Sequence, residues 1–376
     1  MRVYLDNAAT TPLDPEVVTA MTEVLSNVYG NPSAQHAIGR NAKGLMEMAR
    51  RKIAELINAK PSEILFTSGG TEADNIVIRS AVYDLGIKNI ITSAIEHHAV
   101  LTTIEELHHK GLVQMHLVKI SDKGEVDLQN LEELAATFPG SLISLMHANN
   151  EIGTLLDLKK VSEIAKRHGC IFHSDTVQTM GHYKIDVQET GIDFLACSAH
   201  KFNGPKGSGF LYIKNIHKLK PIITGGGQEK NLRAGTENLH GIIGLAKALE
   251  ISNSVMAEKQ MRLQSFKKLM MDRIAAEIPG SGFNGVTEKD GSLYTVLNVS
   301  LPPNPAGEML LFKLDIEGVC ASGGSACSSG ASAGSHVLAA IHHPDERTGV
   351  RFSFGKYTTE DDIHFAVDKL KKVIQG

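Results

Sequence analysis

The chain has 376 residues, 42% hydrophobic and 21% charged, with a formal net charge of −4 at pH 7. That balance suits a globular protein of two domains, or a large domain with a smaller companion, and leaves no basic footprint for nucleic acid. No apolar run reaches the roughly 18–20 residues that cross a bilayer, and the opening Met1-Arg-Val-Tyr-Leu-Asp lacks a signal peptide's basic start and apolar stretch, so a cytoplasmic protein is expected.

In chain order, Asn7-Ala-Ala-Thr-Thr-Pro is expected to pack beside a C-terminal unit or to line a site. Short buried strands are predicted at Ile64-Leu-Phe, Asn89-Ile-Ile-Thr, Gln114-Met-His-Leu-Val, Leu142-Ile-Ser-Leu-Met, Cys170-Ile-Phe-His, Phe194-Leu-Ala and Phe210-Leu-Tyr-Ile. Amphipathic helices fall between several of them. Over 157–168, Leu158, Val161, Ile164 and Ala165 share one face. Strands alternating with helices imply a mostly parallel sheet covered on both sides, with ligands beyond the strands' carboxyl ends. A long helical stretch over 238–278 follows. The remainder, with Val296 to Val299, Met309-Leu-Leu-Phe, Val350-Arg-Phe-Ser-Phe and a helix over 360–374, forms a smaller α+β unit.

Chemistry gathers where the strands end. Thr67-Ser-Gly-Gly-Thr-Glu follows a strand and opens a helix; glycines there permit close backbone approach, and the first N–H groups with the Thr71 hydroxyl can hold an anion. Alone, the same motif is an ordinary capped turn. Asp175 and Lys201 leave neighbouring strands. An amine and a carboxylate converging beside an anion cradle is what pyridoxal phosphate requires: a Schiff-base partner, an anion for the pyridine nitrogen and a seat for the phosphate. Gln178 can bond the ring oxygen. His97 can stack on the ring or simply cap a helix, and Asn149-Asn-Glu-Ile-Gly supplies amides at another strand end. Thr236 follows a flexible glycine loop, Gly225-Gly-Gly-Gln228, and can reach the phosphate, from a partner subunit if not its own. A guanidinium at Arg351 can hold a substrate carboxylate bidentately, unless it serves a surface ion pair.

The cysteines are Cys170, Cys197, Cys320 and Cys327, with no Cys-x-x-Cys pair. Cys170 and Cys197 sit in apolar strand contexts and read as core. Cys327 lies in the small-residue run Ala321 to Gly334, either a nucleophile on an exposed loop or an incidental surface thiol. The histidine doublets at 97–98, 108–109 and 342–343 lack metal-ligand spacing, so no metal is expected.

These motifs together resemble the class I cysteine desulfurases of the NifS/IscS type, over essentially the whole chain. The carrying residues are Tyr4-Leu-Asp-Asn-Ala-Ala-Thr-Thr, Tyr29-Gly-Asn-Pro-Ser, Thr67-Ser-Gly-Gly-Thr-Glu, Glu96-His-His-Ala-Val, Asn149-Asn-Glu-Ile-Gly, His173-Ser-Asp-Thr-Val-Gln, Ser198-Ala-His-Lys, Gly204-Pro-Lys-Gly, Arg233-Ala-Gly-Thr-Glu-Asn, Gly324-Ser-Ala-Cys-Ser-Ser-Gly and Arg351-Phe-Ser-Phe-Gly. The resemblance implies an α/β, fold-type I pyridoxal-phosphate transferase. Its large domain, residues 13–250, would carry a mostly parallel seven-stranded sheet; residues 1–12 and 251–376 would form the small α+β domain with the cysteine loop. It implies Lys201 as the Schiff-base lysine, Asp175 on the pyridine nitrogen, Gln178 on the phenolic oxygen and His97 on the ring. Gly70, Thr71, Ser198, His200 and Thr236 would surround the phosphate, with Asn150 and Arg351 near the substrate. Cys327 would carry sulfur from L-cysteine as a persulfide, leaving alanine, for a sulfur-acceptor or scaffold protein such as one of iron–sulfur cluster assembly. A homodimer is expected. An aminotransferase or selenocysteine lyase is the alternative chemistry, and a non-catalytic adaptor the alternative class. The run Ala-Gly before Ser335-His-Val-Leu, where relatives carry Glu-Pro, bears on the acceptor rather than on the chemistry.

Overall fold

Brief runs of β-branched and aromatic residues, closed by glycine or polar turns, are too short for helices and become strands. The computed structural model describes residues 2–214, 219–324 and 334–375. After β1 (Val3–Tyr4), seven strands build the main sheet: β2 (Ile64–Thr67), β3 (Asn89–Thr92), β4 (Gln114–Leu117), β5 (Leu142–Ser144), β6 (Ile171–Asp175), β7 (Phe194–Ser198) and β8 (Gly209–Ile213). Their order is β2-β8-β7-β6-β5-β3-β4. Strand β8 runs antiparallel to β2 and β7; the other pairings are parallel. Because alternate residues point to opposite faces, each strand feeds two cores. Phe66, Phe172, Leu195 and Phe210 pack with helices Ala37–Leu56 and Leu239–Ser254. Leu65, Ile90, Phe194 and Leu211 pack with helices Gly70–Tyr83 and His98–His109 on the other side. Burial on both faces is why these strands read as continuous apolar runs rather than alternating ones.

The predicted helix over 157–168 is Leu158–Arg167, with Asp157 accepting from the Lys160 N–H as its cap. The single helical stretch predicted over 238–278 is instead two helices, Leu239–Ser254 and Met256–Glu277, meeting at Val255. Polar side chains explain the break: Asn253 Nδ2 donates to the Leu249 carbonyl and Ser254 Oγ to that of Ile251, competing with the helix ladder.

Downstream, β9 (Gly282–Asn284), β10 (Val296–Leu301) and β12 (Thr348–Ser353) form an antiparallel sheet ordered β12-β10-β9, and β11 (Val319–Cys320) pairs in parallel with β1. Val3 and Leu5 therefore enter the same core as Leu263, Met270, Leu297, Phe352 and Val367, so the opening segment packs with the C-terminal unit before running on past the main sheet. The glycine loop at 225–228, expected to be flexible, is tethered at its far end. Arg50 and Glu229, each 2% exposed, pair at 2.6 Å, and Glu229 also accepts the Phe66 N–H of β2 at 2.8 Å.

Candidate active site

The carboxyl ends of β2, β3, β5, β6 and β7 open on one cavity of about 420 Å³, the location that parallel sheets favour for ligands. At the end of β2 the helix Gly70–Tyr83 begins behind Gly69, which offers no side chain to cap it. Its first N–H groups are left for an anion. A methyl group on Gly70 would meet Val177 Cγ2 at 2.5 Å, so that position must stay bare. Thr71, Ser198 and His200 line the same cavity. The His200 ring lies 3.2 Å from Thr10 Oγ1. Burial, aided by the charges of Lys201 and Lys206, draws its pKa down to about 4, so it acts as a neutral hydrogen-bonding ring.

Asp175 closes β6, buried, with one carboxylate oxygen accepting the Val177 N–H at 2.8 Å. Desolvation pushes its pKa up, while His97 and Lys201 oppose that shift. Lys201 ends a single turn after β7, the adjacent parallel strand. Its Nζ donates to the carbonyls of Ala8 and Ala9 at 2.5 and 2.9 Å, and Gln178 Nε2 donates to the Ala8 carbonyl at 3.0 Å. The N-terminal segment is thus a wall of the cavity. His97 both lines it and caps the helix His98–His109, its Nδ1 accepting the Ala99 N–H at 3.1 Å. The two alternatives for His97 are therefore compatible. With Nδ1 an acceptor, the neutral ring carries its proton on Nε2, and burial lowers its pKa.

Arg351 is 1% exposed, so it is no surface ion pair. Its Nη1 donates to the Asn150 carbonyl at 2.9 Å and its Nη2 to Asp6 at 2.8 Å, whereas Nε has no hydrogen-bond partner. Gly70, Thr71, His97, Asn150, Asp175, Gln178, Ser198, His200, Lys201 and Arg351 all line this cavity. Thr236 does not: it is exposed, outside the cavity of its own chain. Cys327 lies outside the described residues; the flanking Gly324 and Ser335 are described.

Sequence reasoning missed Asp74, which also lines the cavity. Neither of its oxygens is hydrogen-bonded; His173 Nε2 stands 3.4 Å away. Burial and the neighbouring Asp175 and Glu96 push its pKa well up. The signal available was a carboxylate on the apolar face of a helix. Lys206, another lining residue, stood in a quoted motif without a role. An anion cradle, an acid and an amine lining one cavity fit pyridoxal phosphate.

The fold and this cavity define a class V aminotransferase: residues 3–365 match the family "Aminotransferase class-V", and the chain belongs to it. It is a family of pyridoxal-phosphate enzymes. The chain is 44% identical to "Cysteine desulfurase IscS" of Dictyoglomus turgidum, over 99% of this chain and 94% of that protein. Among solved structures it resembles a "NIFS-like protein" with a TM-score of 0.92 and 34% identity, each chain covered in full. It also resembles "SspA in complex with cysteine", with a TM-score of 0.80, 32% identity, and coverage of 95% of this chain and 100% of that one.

Proposed function

We propose that this protein is a pyridoxal-phosphate-dependent cysteine desulfurase that converts L-cysteine to L-alanine and holds the sulfur on Cys327 as a persulfide. The observation that carries the reading is the convergence of Lys201, Asp175 and the uncapped helix at Gly70 on one cavity, in a chain 44% identical to a cysteine desulfurase. When bound, the coenzyme supplies an electron sink for bonds at the substrate's Cα and Cβ. Ser198, His200, Thr71 and the helix N–H groups would hold its phosphate, with Thr236 supplied by a second copy. Asp175 would serve its ring nitrogen and Gln178 its ring oxygen. Lys201 would anchor it and, as a free amine, move the substrate's Cα proton. Neutral His97 would pack on the ring and carry a proton on Nε2. Arg351, which lines the cavity, would take the substrate carboxylate beside Asn150. The Cys327 thiolate would then attack the substrate sulfur, the S–S bond forming as the substrate's Cβ–S bond breaks; the electron pair left on the carbon skeleton takes up protons, and alanine leaves.

A homodimer is supported by Thr236 standing outside its own cavity, and by Leu25 and Tyr29 lying 62% and 83% exposed. Residues 13–250 would form the coenzyme domain, with 1–12 and 251–376 the smaller one. A cytoplasmic setting and an iron–sulfur acceptor protein complete the reading; no helix among the described residues is long and apolar enough to cross a membrane. The test is mass spectrometry after cysteine is added. The Cys327 peptide should gain one sulfur atom, and Cys327→Ala should keep the coenzyme's visible absorbance while losing alanine production. Undiminished turnover in that variant would overturn the assignment.

A further inference from the structure

A second cavity, of about 370 Å³, lies between the helix Met256–Glu277 and residues 287–294, and shares no lining residue with the first. On the buried face of that helix, in line with Leu263, Met270 and Ile274, sits Lys267, 6% exposed. Its Nζ donates to Ser292 Oγ at 2.5 Å and to the Leu293 carbonyl at 3.1 Å. Those oxygens are uncharged and use two of three ammonium protons. Burial draws the pKa down to about 8, so at neutral pH most of the charge persists without a counter-ion.

Lys259 on the same helix shows what a purely structural buried lysine looks like. It is equally buried and donates to the Gly181 carbonyl at 2.7 Å, but borders a space of only about 10 Å³. Lys267 instead opens onto room for a ligand. Met271 and Tyr294 give that room apolar walls and Lys289 adds a cation at the rim, whereas the Lys268 charge is answered by Asp272 at 2.6 Å.

We propose that this cavity binds a small organic carboxylate, its head on Lys267 and its apolar body along Met271 and Tyr294. The volume is at the small end of ligand sites, roughly 300–1,000 Å³, enough for a few carbons or one ring. One remaining ammonium proton beside apolar walls suits a monoanion. It cannot replace the hydration of phosphate.

Calorimetric titration of the coenzyme-loaded protein with benzoate, and separately with inorganic phosphate, tests the site. Benzoate should bind saturably, and Lys267→Met should weaken it about ten- to a hundredfold, the loss of one charged hydrogen bond. Near pH 8 binding should draw a proton from the buffer, because the anion restores the ammonium. Binding at Arg351 would not, since a guanidinium is always protonated. Lys289→Ala, at the exposed rim, should weaken binding severalfold and serves if Lys267→Met does not fold. Equal affinity in Lys267→Met, no proton uptake, or binding of phosphate alone overturns the assignment. None of these readouts requires turnover, so the outcome is independent of the desulfurase reading.

Discussion

At the scale of single residues, the chemistry is set by which donors are already committed. Arg351 lines the cavity, with its two terminal nitrogens bonded to Asn150 and Asp6 and its buried Nε without a hydrogen-bond partner. Arg351→Gln should therefore raise the KM for cysteine about ten- to a hundredfold, the worth of a charged hydrogen bond. A KM unchanged alongside a collapsed kcat would move Arg351 from binding to catalysis. The buried lysines allow a second test, of stability against pH. Burial draws Lys259 from 10.5 down to about 8. Below pH 8 both folded and unfolded states hold the proton, and the folded state bears the burial cost. Between about 8 and 10.5 only the unfolded state binds it, so folding stability rises with pH. The advantage of Lys259→Met over the native residue should thus be about 2–3 kcal/mol smaller at pH 10 than at pH 7, whatever its sign at pH 7. Urea unfolding at the two pH values measures this, and a pH-independent difference would mean that water reaches the amine. Asp175 and Lys201 were legible in sequence because the first ends an apolar strand and the second follows one by a single turn. Asp74 was not: its meaning comes from His173 and Asp175, which only the fold brings beside it.

At the scale of elements, backbone proximity and tethers decide where these side chains stand. A methyl on Gly209 would lie 2.3 Å from the Cys197 carbonyl oxygen and 2.8 Å from Gly69 Cα, backbone atoms that cannot step aside. Gly209→Ala should push β8 away from the anion cradle, weakening coenzyme binding more than it lowers the unfolding midpoint; an unchanged coenzyme affinity would refute that. The Arg50–Glu229 pair is buried on both sides, so Glu229→Ala leaves the guanidinium only Glu47 at 3.1 Å and the Ile64 carbonyl at 2.8 Å, and should cost about 2–3 kcal/mol in urea unfolding. Glu151 has a different tether: its carboxylate accepts from Ser335 Oγ at 2.5 Å and would stand 3.2 Å from a methyl on Gly324, so it meets both flanks of the segment bearing Cys327. The strands of the main sheet were legible because apolar runs of four or five residues allow little else. The break at Val255 was hidden because it depends on which carbonyls Asn253 and Ser254 choose, and apolar periodicity continues through it.

Across the whole molecule, the two cores are joined where Lys201 is held. Tyr294, packed in the C-terminal core, donates its hydroxyl proton to the His182 carbonyl at 2.9 Å and stands 3.3 Å from His182 Nδ1. His182 Nε2 in turn donates to the Lys201 carbonyl at 3.1 Å. Burial, with the Lys259 charge adding to it, lowers the His182 pKa to about 3, so the ring stays neutral at working pH and this path does not titrate there. Sequence patterns could not disclose it, because more than a hundred residues separate Tyr294 from His182 and neither belongs to a recognisable motif. Tyr294→Phe keeps the ring and removes one hydroxyl, leaving the buried His182 carbonyl short of a donor, at about 1–3 kcal/mol. If the link positions Lys201, the variant should also bind pyridoxal phosphate less tightly, by more than Lys259→Met does, although Lys259 reaches the same turn through Gly181. Coenzyme titration by visible absorbance, run beside urea unfolding, separates the two effects. A stability loss with coenzyme affinity intact would confine Tyr294 to holding the cores together; a loss of both makes the joint between them part of the catalytic apparatus.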